Sequence, residues 1–153
     1  NEPSSVEIIS GLKPDLIVFT GGGIVRQELL EIPRLGILNC HMGILPKYRG
    51  SFPFVWAILQ NDKKNIGCTV HFMDAGIDTG PIYKKYFLKN IPRSIFEIQS
   101  LFEQNMSSYL LDSISQISKG EVSFTDQETL DGIQYYIPHK LITSLAENKV
   151  KRL

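Results

Sequence analysis

The sequence predicts an α/β fold in which a mostly parallel, twisted sheet is flanked by helices. A continuous apolar run at Leu16–Phe19 is typical of a parallel strand that is covered on both faces. A second apolar run follows at Leu35–Asn39, and apolar residues recur every three to four positions over Ser94–Ser118. Strands that alternate with helices indicate a sheet with helices packed on its faces.

Local signals predict the first elements of the chain. A helix precedes the first strand, with Ser4 and Glu7 as its capping box and Gly11 as its C-cap. Because this helix feeds a parallel-type strand with no strand before it, we expect the first strands of the sheet to be missing from the chain. The glycines at 21–23 predict a turn into a short helical segment at Arg26–Glu31.

The middle of the chain predicts a short buried helix and two paired strands. Ser51 precedes the helix "FPFVWAILQ", and Pro53 falls in its first turn. Gly67–Met73 and Pro81–Leu88 are rich in β-forming residues and are separated only by "DAGIDTG". We therefore expect these strands to form a hairpin or to be neighbours.

The long helix is predicted to begin at a capping box of Ser94 with Glu97 and to end at Gly120. Weaker strand-like pieces lie near Val122–Phe124 and Gln134–Ile137. We expect one catalytic domain over the whole chain. Its expected parts are core motifs in 14–88, the long helix in 94–118 and a C-terminal extension in 121–153.

Composition limits the function classes. The 153 residues include 16 basic and 16 acidic side chains, so the net charge of zero indicates neither a nucleic-acid coat nor a membrane surface. Cys40 and Cys68 have neither the number nor the spacing of a disulfide framework or a metal site. With no signal peptide and no apolar stretch near the length of a membrane span, we expect a cytoplasmic protein without a membrane partner.

Polar residues at the ends of two strands are the candidate site. Asn39 and His41 are two apart, so they point the same way where a strand ends, and strand ends of this kind border ligand crevices. Asp78 lies in a turn between Gly76 and Gly80, and a carboxylate beside His41 would raise the pKa of the imidazole. Taken singly, such residues are more often a capping Asn, a partly exposed His and a turn-forming Asp.

Together the stretches "LNCHMGILPKYRG" and "GCTVHFMDAGIDTGPI" resemble the folate-dependent formyltransferases. This family includes glycinamide ribonucleotide, methionyl-tRNA and sugar-amine formyltransferases, and the resemblance covers Pro14–Leu88. It implies a Rossmann-like formyltransferase fold, with 10-formyltetrahydrofolate as formyl donor, a primary amine as acceptor and no metal. Asn39 and protonated His41 would donate hydrogen bonds to the developing oxyanion, and Asp78 would hold His41 charged.

The resemblance also implies binding residues. Met42 and Gly43 match positions near the substrate, although many members have serine where this chain has Gly43. Leu45–Pro46 matches a frequent cis peptide. The residues that match the pterin pocket are Gly23, Ile24, Val25, Leu30, Ile37, Met73 and Ile77.

The acceptor that we expect is a small-molecule amine, most specifically a nucleotide-linked amino sugar. Methionyl-tRNA and glycinamide ribonucleotide are alternatives, and tRNA is a partner only in the first of these. Two further alternatives are hydrolysis of 10-formyltetrahydrofolate and a truncated relative that binds without turnover. A homodimer is left open.

Overall fold

The computed structural model describes residues 2–21, 23–121, 123–128 and 131–153. Gly22 of the predicted glycine turn and Val122 of the predicted strand piece lie outside the described residues. The helices in this part are α1 (Pro3–Leu12), α2 (Gln27–Leu30), α3 (Pro53–Leu59), α4 (Ile95–Ser118) and α5 (Lys140–Val150), with a 3-10 turn at Lys63–Asn65. The strands are β1 (Ile17–Phe19), β2 (Ile37–His41), β3 (Tyr48–Gly50), β4 (Gly67–Phe72), β5 (Ile82–Phe87) and β6 (Ile133–Tyr135).

The α/β class is confirmed, with four strands in the order β1-β2-β4-β5. β1 and β2 are parallel, whereas β4 is antiparallel to both β2 and β5. The expectation of a mostly parallel sheet therefore holds on the β1 side only. The pairing of β4 with β5 was predicted, and it is antiparallel because their short connection cannot accommodate a crossover. β3 and β6 form a separate parallel pair.

β2 is displaced from its predicted position by two residues. The sequence predicts Leu35–Asn39, whereas the strand is Ile37–His41 and therefore contains both candidate polar residues. Gly36 has a φ of +110°, a conformation that side chains rarely adopt, and it bends the chain before the strand starts. The displacement places His41 at the last position of the strand.

The prediction that β1 is covered on both faces is wrong. Val18 at its centre is 36% exposed, and α1 has no buried residue. β1 is an edge strand of the described sheet. An apolar run indicates a strand that favours burial, but it does not show which neighbours cover it.

The helix boundaries at α1 differ from the prediction. The helix begins at Pro3, so Ser4 and Glu7 lie inside it and do not form the expected capping box. Lys13, with a φ of +47°, ends the helix instead of Gly11. Proline is favoured in the first turn because its missing N–H has no partner to lose there.

A tertiary contact replaces the predicted cap of α4. The side chain of Ser94 makes no capping hydrogen bond, and the N–H of Ile95 instead donates to Glu147 Oε2 of α5 at 2.9 Å. The N-cap of α3 is Phe52, with a φ of +51°. Gly120 follows the end of α4 with a φ of +85°, as a C-terminal glycine should.

The core lies between the sheet and helices α3, α4 and α5. Its fully buried members include Leu38 and Val70 from the sheet, Ile58 from α3 and Ile98 from α4. Val150 of α5 joins the same cluster, so the C-terminal helix is part of this core. None of the described helices has both the length and the apolar content that crossing a bilayer needs.

Candidate active site

The end of β2 carries Asn39 and His41, and it pairs with β4. Asn39 pairs with His71, and His41 pairs with Thr69. Asn39 Nδ2 lies 3.2 Å from His71 Nε2, and His41 is only 7% exposed. The pleat that sends alternate side chains to one face thus brings two histidines and one amide together. The ring centroids of His41 and His71 are 6.3 Å apart.

Asp78 approaches this group from the turn between β4 and β5. Its backbone has a φ of +53°, a left-handed conformation. One carboxylate oxygen lies 3.4 Å from His41 Nδ1, and the other lies 3.5 Å from His71 Nε2. The N–H of Gly50 donates to the first of these oxygens at 2.8 Å. Asn39, His41 and Asp78, which the sequence singles out separately, converge here.

His71 is the residue that sequence reasoning missed. Its Nδ1 donates to the carbonyl oxygen of Phe72 at 2.9 Å, since a carbonyl can only accept. With this tautomer, Nε2 accepts from Asn39 Nδ2. A signal was present in "TVHFMD", where His71 is two residues from Thr69 and directly precedes the turn that carries Asp78.

Burial and neighbouring charges shift the pKa values of Asp78 and His41 in opposing ways. Burial alone raises the pKa of Asp78, but contact with His71, the charge of His41 and the Gly50 amide together lower it to about 2. Burial lowers the pKa of His41, and this outweighs the Asp78 carboxylate and the Tyr48 carbonyl, which both raise it. This direction favours the neutral imidazole over the imidazolium that the resemblance implies.

The lowered pKa of Asp78 predicts an acid-dependent loss of stability. The folded state binds this proton less readily than the unfolded chain, whose Asp78 pKa is near 3.8. The stabilisation is thus complete above about pH 4 and is lost as pH falls towards 2. We expect the free energy of unfolding to decrease by about 2 kcal/mol over this range through Asp78. Denaturant titrations should show a shallower acid dependence in Asp78→Asn, and an identical dependence would contradict the shift.

Two crevices meet beside Asn39. The first, of about 290 Å³, is lined by Asn39, His41 and Met42 and also by Phe52 and Phe54. The second, of about 340 Å³, is lined by Asn39, Asp78 and the turn before Asp78. Phe19, Asn39 and Gly50 line both. A molecule in either crevice therefore reaches the Asn39 amide.

The structure brings most, but not all, of the predicted binding residues to these crevices. Met42 lines the first crevice. Leu30 and Ile37 line neither, and Ile37 is fully in the core at 1% exposure because it lies at the start of β2, away from the strand end. The predicted pterin residues that line the second crevice are Gly23, Ile24, Val25, Met73 and Ile77.

Gly43 lines neither crevice, and packing accounts for the absence of a side chain. A Cβ at this position would lie 2.7 Å from Pro53 Cβ and Cγ and 2.8 Å from His41 Nε2. Its carbonyl oxygen accepts a hydrogen bond from Thr69 Oγ1 at 2.6 Å. Gly43 thus allows α3 and the His41 ring to approach the loop closely. The Leu45–Pro46 peptide in the same loop is cis, as the resemblance implied.

Introducing the family serine at Gly43 should therefore harm the protein. We expect Gly43→Ser to destabilise the fold by about 1–3 kcal/mol, because Pro53 and His41 must move to admit the side chain. Chemical denaturation measures this loss. Gly11→Ala is the matched control, since a Cβ at Gly11 meets nothing within 4 Å. Wild-type stability in Gly43→Ser would show that the loop has room after all.

The described residues contain no group of three His, Cys, Asp or Glu side chains arranged to hold a metal ion. Cys40 lines the first crevice but is only 3% exposed and packs in the core, as expected for a small apolar side chain. Among the chemical groups that line the crevices are the Asn39 amide, the His41 imidazole and the Asp78 carboxylate. Such a set can donate a hydrogen bond, accept a proton and stabilise the resulting cation.

Comparison with known sequences identifies relatives. A family model described as formyl transferase matches residues 1–95 of the 153. The methionyl-tRNA formyltransferase of Alkaliphilus metalliredigens is 37% identical over 132 residues, which cover 85% of this chain and 42% of that protein. The chain therefore spans less than half the length of this relative.

Comparison with solved structures shows the same fold. A sugar N-formyltransferase from Shewanella sp. matches with a TM-score of 0.74 at 21% identity, covering 98% of this chain and 65% of that one. A formyltransferase from Anoxybacillus kamchatkensis, solved with UDP-4,6-dideoxy-4-formamido-L-AltNAc and tetrahydrofolate, has a TM-score of 0.69 at 21% identity. That match covers 80% of this chain and 65% of the other. By its family match and its sequence relatives, the chain belongs to the formyl transferase family.

Proposed function

We propose that the site transfers a formyl group from 10-formyltetrahydrofolate to the primary amine of a small-molecule acceptor. The observation that carries this proposal is the convergence of Asn39, His41 and Asp78 where two crevices meet. The second crevice has a mainly apolar wall in Ile24, Val25 and Met73, which suits a flat heterocycle such as a pterin. The first crevice then receives the acceptor.

In the proposed reaction the acceptor nitrogen attacks the formyl carbon beside Asn39. One hydrogen of Asn39 Nδ2 points to His71, and the second donates to the formyl oxygen as it becomes an oxyanion. His71 fixes the rotation of this amide because its own Nδ1–H is held by the Phe72 carbonyl. The amide is thus oriented before the substrate arrives, which avoids reorganisation during the reaction.

The proton of the attacking amine passes to neutral His41. Its Nε2–H donates to the Tyr48 carbonyl at 2.8 Å, so Nδ1 carries the lone pair that accepts the proton. Asp78, 3.4 Å away, stabilises the imidazolium that forms. The bond from the formyl carbon to folate N10 then breaks, and the proton moves from His41 to N10. The products are the formamide and tetrahydrofolate.

The proposed acceptor is a nucleotide-linked amino sugar. The Anoxybacillus formyltransferase was solved with a UDP-linked formamido sugar. The side chains that line the first crevice in the described part of the chain carry no lysine, arginine or carboxylate, and Phe52 and Phe54 provide apolar ring faces. A sugar ring packs on such faces. Methionyl-tRNA is the second candidate, because the 37% identical relative is named for that activity.

An acceptor screen tests the proposal. The protein is incubated with 10-formyltetrahydrofolate and either a nucleotide-linked amino sugar, methionyl-tRNA or glycinamide ribonucleotide, and tetrahydrofolate formation is followed. We expect turnover that depends on the amino sugar. Formate release without any amine would indicate a hydrolase instead. Calorimetric binding of a folate analogue without turnover would indicate a non-catalytic relative.

A further inference from the structure

A segment remote in sequence crosses the turn that carries Asp78. Residues 123–128 follow α4, and Thr125 forms two backbone hydrogen bonds with Ile82, the first residue of β5, each 2.8 Å long. This bridge fixes the segment beside the β4–β5 turn. Gln127, two residues further on, is partly buried there.

The side chain of Gln127 holds the backbone on both sides of Thr79. Its Nε2 donates to the carbonyl oxygen of Asp78 at 3.1 Å and to that of Gly80 at 2.6 Å. Asp78 is left-handed, a conformation that an L-residue adopts at a cost unless its surroundings impose it. Gln127 supplies two hydrogen bonds that impose it.

Arg49 and Gly50 on β3 close this arrangement into a ring. Arg49 Nη2 donates to Gln127 Oε1 at 3.3 Å and to the carbonyl oxygen of Glu128 at 3.2 Å. The next residue, Gly50, donates its N–H to the Asp78 carboxylate. The backbone and the carboxylate of Asp78 are thus both tied to β3, one through Gln127 and the other directly.

We propose that Gln127 is a positioning residue that sets the Asp78 carboxylate against His41. The proposal rests on the role given above to Asp78 in formyl transfer. Gln127 does not line either crevice, so it acts through the turn and not through a substrate. A shift of about 1 Å in a reacting group is enough to lower a rate about 100-fold.

The part of the β4–β5 turn before Asp78 is held by a different side chain, that of Asp74. Asp74 Oδ1 accepts from the N–H of Gly76 at 3.1 Å and from Thr79 Oγ1 at 2.6 Å. This part carries Ile77, which lines the second crevice. Loss of Gln127 therefore releases Asp78 while the apolar wall of the donor crevice, which includes Ile77, stays in place. The expected kinetic signature is a lower kcat with the KM for 10-formyltetrahydrofolate unchanged.

Two substitutions separate the contacts of Gln127. Gln127→Met keeps the length of the side chain and removes all of its hydrogen bonds. Gln127→Glu keeps an acceptor for Arg49 but removes the N–H groups that hold Asp78 and Gly80. We expect kcat to fall about 10- to 100-fold in both, with KM for the donor within about twofold of wild type. Gln104→Met and Gln104→Glu, at an exposed position of α4, are the matched controls.

A second readout does not need activity. Nitrogen-15 spectra of the histidine rings follow the titration of His41, and exposed His139 is the internal reference. In Gln127→Met the His41 midpoint should move to lower pH, because the Asp78 carboxylate that raises it is no longer held nearby. An unchanged midpoint, or wild-type kcat in Gln127→Glu, overturns the positioning role. Absence of formyl transfer by the wild-type protein overturns the proposed function instead, while the His41 titration still decides the role of Gln127.

Discussion

Asp78→Asn is expected to lower kcat for formyl transfer about 1,000-fold, within the range that acid–base groups contribute. Asparagine keeps the size of the side chain and removes the charge that stabilises protonated His41. The KM for the donor should change little, since the backbone of the turn still lines the second crevice. Steady-state kinetics with saturating amine measures both parameters.

The pH profile of the residual activity distinguishes this effect from misfolding. The active form needs neutral His41, so the rate falls on the acid side of the His41 pKa. Without the Asp78 charge that pKa decreases further, and the acid limb should move to lower pH. Asp15→Asn, in an exposed ion pair with Arg34, serves as the control. Wild-type kcat in Asp78→Asn would exclude Asp78 from the reaction.

Asn39→Ala is expected to lower kcat about 100- to 1,000-fold, the usual effect of removing one donor to an oxyanion. Asn39→Asp is the sharper test. It keeps the shape of the side chain but places a negative charge where the oxyanion develops, so its kcat should be at least as low as that of Asn39→Ala. The measurement is again the initial rate of tetrahydrofolate formation.

Two checks accompany the Asn39 variants. Binding of a folate analogue to Asn39→Ala, measured by calorimetry, should stay near the wild-type affinity, because the proposed donor crevice keeps its apolar wall. Asn90→Ala, at an exposed position, should leave the rate unchanged. If Asn39→Asp turns over at the wild-type rate, the amide does not stabilise an oxyanion.

Local sequence predicted the elements well and their ends less well. The period of α4 and the β-forming residues of β4 and β5 are properties of neighbouring residues, and all three elements form as predicted. Caps depended on distant residues. Glu147 of α5 accepts the first N–H of α4, and no pattern near Ser94 reveals such a partner.

The candidate site shows the same division. Asn39, His41 and Asp78 were candidates by residue type, and the resemblance to the formyltransferases linked them into one site. His71 was missed because its role arises from the register of β2 with β4, which sets it opposite Asn39. The protonation of His41 depends on a nearby carboxylate, which can be inferred from sequence, and on the depth of burial, which cannot.

The sequence by itself determined the α/β class, the family resemblance and the three polar residues at the strand end and turn. Those depend on residue type and short-range spacing. Only the tertiary structure decided that Gly43 has no room for a side chain, that two crevices share Asn39 and that Gln127 ties the Asp78 turn to β3. Each of these is a contact between residues far apart in the chain, and such contacts are set by the packing of the whole fold.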